Sequence, residues 1–262
     1  MIDKYCGLTE KIRVAARCKL LSIHYHAGVG HIGGNLSSLD AMLVVFHDIL
    51  RSTDRFILSK GHSAGALYVA LWSAGRLKSE DLETFYKDNT LLPGHPPSQG
   101  VEDVLFATGS LGHGFSLAIG TALGMKLQQQ DDRVICLTSD GEWQEGSTWE
   151  ALIFASHRKL DNLTILVDHN GLQGFGRTDD VASMSPLWEK IKGFNVEVFV
   201  IDGHDIHAIR ATLLRPQTKF RIVILKTIKG HGVSFMADKM EWHYLPMSEV
   251  QYRIALAEQD AL

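Results

Sequence analysis

Val134-Ile-Cys-Leu-Thr-Ser-Asp-Gly-Glu-Trp-Gln-Glu-Gly146 runs a short apolar stretch directly into an acidic turn that contains glycine. A second run, Leu163-Thr-Ile-Leu-Val167, leads into Asp-His-Asn170-Gly171, a turn of the same kind. Both runs are short, apolar and bounded by turn residues, so both are predicted as buried strands. The stretch 148–159 between them has a helical pattern. The alternation continues downstream through a helical segment around 186–192, the run Val196-Glu-Val-Phe-Val-Ile201, a helical segment 206–214 and Arg221-Ile-Val-Ile-Leu225. Strands alternating with helices build parallel sheets covered by helices. The predicted fold class is therefore α/β: a three-layer, mostly parallel sheet with helices on both faces.

Before residue 133 the pattern is mostly helical. Thr9 is placed to cap a helix carrying Ile12, Ala16, Leu20 and Ile23, and Ser38 to cap another running through Met42 and Val45 to Ile49. Glycine-rich segments at 28–34, 60–62, 93–97 and 109–114 read as loops interrupting these helices. With 262 residues and no visible linker or repeat, a single domain over 1–262 is expected. A net charge of -4 without like-charge blocks gives no electrostatic case for nucleic acid or an anionic membrane, so the expected substrate is small. The first residues lack a basic and apolar secretion signal and no apolar run is long enough to span a bilayer, which points to the cytoplasm. Cys6, Cys18 and Cys136 are odd in number and widely spaced; they are expected to be buried thiols rather than a disulfide framework or zinc site.

Chemistry concentrates at the two strand ends. In an open parallel sheet ligands bind beyond the carboxyl ends of the strands, so neighbouring ends bring Asp140 and Asn170 together. Their oxygens, with a nearby backbone carbonyl and phosphate oxygens, suit the octahedron of Mg2+; Ca2+ or Mn2+ would take the same hard ligands. Gly141 would let its backbone N–H approach a phosphate. Each turn alone is ordinary, but the 27 residues 142–168 between them read as one helix and one strand, the separation that adjacent strand ends require.

This pair resembles the thiamine diphosphate motif, Gly-Asp-Gly followed one helix and one strand later by an amide residue. Ser139 stands in place of the first Gly, and His169 in place of the usual Asn or Asp. Further segments in the same order narrow the resemblance to the N-terminal, diphosphate-binding domain of transketolases: Gly-His-Ile-Gly-Gly (30–34), Leu-Ser-Lys-Gly-His-Ser (58–63), Leu-Pro-Gly-His-Pro (92–96), Thr-Gly-Ser-Leu-Gly-His-Gly (108–114), Asp-Gly-Glu-Trp-Gln-Glu-Gly (140–146), Lys-Thr-Ile-Lys-Gly-His-Gly (226–232) and Trp242-His243.

The resemblance implies a thiamine diphosphate-binding fold with Asp140, Asn170 and the carbonyl of Leu172 as metal ligands. It also implies that Gly109, Ser110, Leu111 and Gly112 pass along the cofactor. Glu145 matches the family's acidic residue in the relay between paired sites, and Glu142 reads as a solvated neighbour among the cofactor-binding residues. His113 stands where the family more often has Gln, and Tyr244 and Leu245 replace small residues that commonly follow Trp-His.

Thirteen histidines invite separate weighing, since a lone histidine is more often structural than catalytic. Six follow a glycine, which places them on loops, where a rigid scaffold presents function. Imidazole both donates and accepts near neutral pH, which suits sugar hydroxyls and carbonyls. By the resemblance His31, His62, His95 and His243 are substrate-channel residues, with His62 also touching the cofactor and His231 a further cofactor contact. His204 reads first as a turn residue, although the family places its segment near the cofactor. His24, His26, His47, His157 and His207 read as structural.

The same resemblance implies an incomplete site. The family activates its cofactor with a glutamate from a separate pyrimidine-binding domain, for which this sequence has no counterpart. The expected partner is a C-terminal subunit carrying that domain, in an assembly of two copies of each chain, with self-association to a dimer as the lesser state. The implied reaction moves a two-carbon ketol unit from a ketose or ketose phosphate to an aldose. Rival expectations are a subunit of another thiamine enzyme, acting on 2-oxo acids or making deoxyxylulose phosphate, and a regulatory homologue without activity. Gly28-Val-Gly-His-Ile-Gly33 also fits the dinucleotide fingerprint, but a helix rather than a strand precedes it.

Overall fold

The computed structural model describes residues 7–259. In chain order it contains α1 (Glu10–Ala27), α2 (Ile32–Val44) with a π turn at Val45–Ile49, β1 (Arg55–Leu58), α3 (Ala64–Ser73), a short α4 (Ser79–Leu82) and α5 (Gly114–Leu127). There follow β2 (Val134–Ser139), α6 (Gly146–Arg158), β3 (Leu163–His169), the hairpin β4 (Leu172–Gln173) and β5 (Gly176–Arg177), α7 (Thr178–Ala182) and α8 (Leu187–Ile191). The chain closes through β6 (Glu197–Asp202), α9 (Ile206–Leu213), β7 (Arg221–Lys226) and α10 (Glu249–Gln259).

Five strands form one parallel sheet in the order β1-β2-β3-β7-β6. Every residue of β2 and the first six of β3 are buried, as continuous apolar runs in a covered parallel sheet must be. Alternate side chains serve opposite layers. Ile135, Leu137, Leu166, Val223 and Leu225 pack with α1, α2, α3 and α9. Cys136, Ile165, Val167, Ile222 and Ile224 pack with α5, α6 and α8. The β2-α6-β3 crossover therefore lies on one face and β6-α9-β7 on the other. The winding direction reverses between β3 and β7, which opens a crevice at the carboxyl ends of the strands.

Thr9 caps α1 as expected, its hydroxyl accepting from the Ile12 N–H. Ser38 does not cap a helix: it sits inside α2, fully packed, and donates to the Gly34 carbonyl at 2.8 Å. The helix starts earlier, at Ile32, because His31 takes a left-handed turn with φ 64° and resets the chain direction. Gly33 and Gly34 are thus helical rather than part of a loop, and every residue of α2 is buried. Sequence reasoning also missed β1, whose four residues are too few to show a period. Cys136 is buried, Cys18 only partly, and Cys6 lies outside the described residues. Among the described residues no helix is long and apolar enough to cross a membrane.

Candidate active site

The register aligns Ser139 of β2 with Asp168 of β3, so the next residues leave the sheet side by side. Asp140 carries one oxygen to the Gly171 N–H at 2.6 Å, and Asn170 carries its Oδ1 to the Leu172 N–H at 3.0 Å. Both oxygens therefore converge on the turn that precedes the β4-β5 hairpin, where Leu172 also lines the cleft. Asp140 is 5% exposed, accepts only from the backbone N–H groups of Gly141 and Gly171, and makes no ion pair among the described residues. Burial, and then the charge of Asp168, push its carboxyl up to about 6. A buried carboxylate with no ion-pair partner in contact, beside an amide oxygen, is a donor set that fits a hard divalent ion. Gly141 departs from expectation: its N–H is given to Asp140 Oδ1 at 2.8 Å rather than left free for a phosphate.

Beneath this turn lies a buried polar cluster that sequence reasoning passed over. The Lys60 ammonium is fully enclosed and contacts Asp168, with its remaining reach going to the Gly34 carbonyl at 3.0 Å. Asp168 also accepts from Ser37 at 2.6 Å, from Thr227, and from the Asn170 amide at 3.2 Å. Asp168 thus fixes the side-chain orientation of Asn170 while Lys60 balances its charge. The signal was present: Asp168 interrupts an apolar strand, and a charge does so only when paired. Lys229 was likewise overlooked. It is buried, burial lowers it to about 8, and its ammonium meets His243 Nδ1 at 3.1 Å.

Four histidines from four distant segments close around the cleft of about 260 Å³. His31 lies 5.8 Å from His62, 6.0 Å from His95 and 5.0 Å from His243, ring centre to ring centre. The His31 N–H donates to the His243 carbonyl at 3.0 Å, tying the start of α2 to residues 240–243. Burial is the main cause that lowers all four: His31 to about 4, His243 to about 3, His62 well below its usual value, His95 downward. At neutral pH each is an uncharged imidazole with one N–H and one lone pair.

The 109–114 segment lines the same cleft through Gly109 and Leu111, while Ser110 is exposed at its rim. Gly112 has φ 77°, and a Cβ there would lie 2.6 Å from Ser147 Oγ, so the residue must be glycine. Glu142 is a correction: it is fully buried, not solvated. It accepts from the Gly112 N–H at 3.1 Å, the Ser139 N–H at 2.8 Å and the Ser59 hydroxyl, so it fastens the loop under the cleft from behind. Burial raises its carboxyl, and those donors offset the rise only in part. Glu145 is exposed at the start of α6, and His113 is exposed at the start of α5.

His231 does not line the cleft. Its ring stacks on His204 at 3.5 Å, and His204 donates toward Asp40 at 3.0 Å while accepting from the Ile228 N–H at 2.9 Å. Both histidines therefore belong to a cluster with Asp40 and Arg17 under α1 and α2. His24, His26, His47, His157 and His207 also stay outside the cleft, as expected. A larger hollow of about 550 Å³ opens between α1 and residues 82–87, away from the strand ends and from every converging histidine.

The fold and cleft put the chain in the class of α/β domains that hold a ligand at the switch point of a parallel sheet. Residues 10–257 match the family described as transketolase, thiamine diphosphate binding domain, and the chain belongs to that family. It is 36% identical to an apulose-4-phosphate transketolase subunit from Actinobacillus succinogenes, across 95% of both chains. It is 35% identical to the 6-deoxy-6-sulfo-D-fructose transketolase subunit SqwG of a Clostridium species, across 88% of both. Human transketolase is 37% identical over 84% of this chain but only 37% of its own length. Among solved structures, transketolase from Campylobacter jejuni superposes with a TM-score of 0.86 at 26% identity, over 96% of this chain and 42% of the other. The helix preceding residues 28–33 removes the dinucleotide reading, and the relatives favour transketolase over other thiamine enzymes and over an inactive homologue.

Proposed function

We propose that this chain is the diphosphate-binding subunit of a two-chain transketolase. In that reading Asp140, Asn170 and the Leu172 carbonyl hold Mg2+ or a similar divalent ion at the cofactor's diphosphate, with residues 109–112 alongside. When bound, thiamine diphosphate supplies the electron sink that lets a ketose break between C2 and C3. His31, His62, His95 and His243, all uncharged, donate to and accept from substrate oxygens and carry protons during the transfer of the two-carbon unit. Glu145, exposed at the end of the turn, faces the paired site. The partner is a chain with the pyrimidine-binding domain, the substrates are small sugars or sugar phosphates, the assembly is two copies of each chain, and the compartment is the cytoplasm.

The observation that supports this reading most is the convergence, in one cleft, of the buried Asp140 carboxylate, which has no ion-pair partner in contact among the described residues, with four neutral imidazoles. Asp140→Ala in the assembled enzyme should abolish metal-dependent binding of thiamine diphosphate and leave thermal unfolding close to that of the parent. Asn170→Ala should weaken binding less, because an amide offers no net charge to the ion. Calorimetric affinity that stays unchanged in Asp140→Ala would sink the proposal.

A further inference from the structure

Tyr244 follows the channel histidine His243 and crosses the mouth of the cleft. Its phenol donates to the Gly174 carbonyl at the tip of the β4-β5 hairpin, 2.8 Å away, and its ring meets the His243 imidazole edge-on with centres 4.7 Å apart. The backbone beneath it is fixed as well, since the Tyr244 N–H donates to the Glu241 carbonyl at 3.0 Å. Gly174 completes the fit: a Cβ there would fall 2.6 Å from the phenol oxygen and 3.5 Å from His243 Nε2. The position is glycine because the tyrosine already fills the space. Tyr244 is nevertheless 55% exposed, so the other side of the ring faces the opening where a substrate chain must pass.

We propose that Tyr244 is a specificity-determining residue, a wall that sets the width of the channel beside His243. This rests on the transketolase reading above. The ring takes no proton and holds no cofactor. It narrows the opening beside His243, so a bulkier sugar chain meets the ring before a slimmer one does. A purely structural staple between the hairpin and residues 240–244 would affect all substrates alike, whereas a wall affects them in proportion to their bulk.

The test uses the enzyme assembled with its partner subunit. Glycolaldehyde and a branched-chain aldose serve as alternative acceptors with one common ketose donor, and kcat/KM is compared as a ratio. Tyr244→Ala should raise the branched-to-unbranched ratio by about tenfold or more, the scale at which a change of pocket size acts, and mainly through KM. Tyr244→Phe keeps the ring and should keep the parent ratio. Gly174→Ala, which pushes the phenol off its acceptor without altering Tyr244, should also move the ratio and carries the test alone if Tyr244→Ala fails to fold. Ratios within twofold of the parent in the folded variants would overturn the proposal. Absence of any ketol transfer by the parent enzyme would instead overturn the functional reading on which it rests.

Discussion

The cleft gathers imidazoles that are uncharged at neutral pH, and such groups leave a trace in stability. His24, outside the cleft, shares it: burial lowers it from the usual 6.5 to about 4, with its Nδ1 at 3.0 Å from the Leu20 carbonyl. His31 is lowered to about 4 and His243 to about 3. In the unfolded chain these groups bind protons near pH 6.5, whereas in the folded chain they resist until far lower pH. Stability is therefore full above about pH 6.5 and falls as pH drops toward 4, by at most about 1.4 kcal/mol per pH unit for each such histidine. Denaturant titrations across that window should show the slope, and His24→Gln should make it shallower by one histidine's share; parallel slopes would contradict the assignment. The channel histidines have a different signature. His95→Ala and His243→Ala should keep cofactor affinity in the assembled enzyme and lose turnover by about 100-fold or more, the usual scale of a lost proton-transfer group. Affinity lost together with turnover would return them to a structural role. At this scale the sequence was informative where a residue sits in a motif, as for Asp140 and the four histidines. It was misleading where partners decide the role: Glu142 looks like a surface acid until Ser59, Ser139 and Gly112 are seen to surround it.

Secondary elements were legible in proportion to their periodicity. β2, β3, β6 and β7 announce themselves as apolar runs, and their parallel order follows from the helices between them. β1 is four residues long, and α2 is buried all round with Asn35, Ser37, Ser38 and Asp40 among its apolar residues, so neither shows a face. Ser38 was misplaced for that reason, since a capping residue is recognised by the amphipathic pattern it precedes. α10 is tied down by a side chain that no pattern reveals. Gln259 is fully buried, accepts from Arg17 Nε at 2.6 Å and donates to the Gly232 carbonyl at 2.7 Å. It joins α10 and α1 to the segment that presents Lys229. Gln259→Ala would strand a buried guanidinium N–H and a carbonyl, and the chain should lose about 1–3 kcal/mol in denaturant unfolding. A change below about 0.5 kcal/mol, typical of an exposed position, would show that α10 frays without consequence.

At the scale of the whole molecule, the cleft gathers segments that lie far apart in the chain. The strand ends, Gly109 and Leu111, the histidines, the β4-β5 hairpin and Tyr244 line it. The buried carboxylates beside the cleft are Asp140, Glu142 and Asp168, committed to a strand-end turn, a loop and a lysine, while Asp40 and Asp54 are buried beside arginines away from it. None is left to face a cofactor's pyrimidine ring. At the mouth, Phe175 is 85% exposed at the hairpin tip and Leu245 is 49% exposed, apolar surface of the kind that a second domain covers. Motif order made the family legible in the sequence, but the meeting of these segments in one cleft emerges only once they are assembled. The chain purified alone should therefore bind thiamine diphosphate weakly, since only the diphosphate end is held, and should show negligible ketol transfer with Mg2+ and cofactor in excess. Mixing with a chain that carries the pyrimidine-binding domain should restore transfer and produce an assembly of two copies of each, because isologous pairing repeats the same contact in both halves. Light scattering and a ketose-cleavage assay on the separate and mixed chains check both parts. Full activity from rigorously partner-free protein would mean that this chain, or a homodimer of it, supplies the pyrimidine contacts, and the two-chain reading would fall.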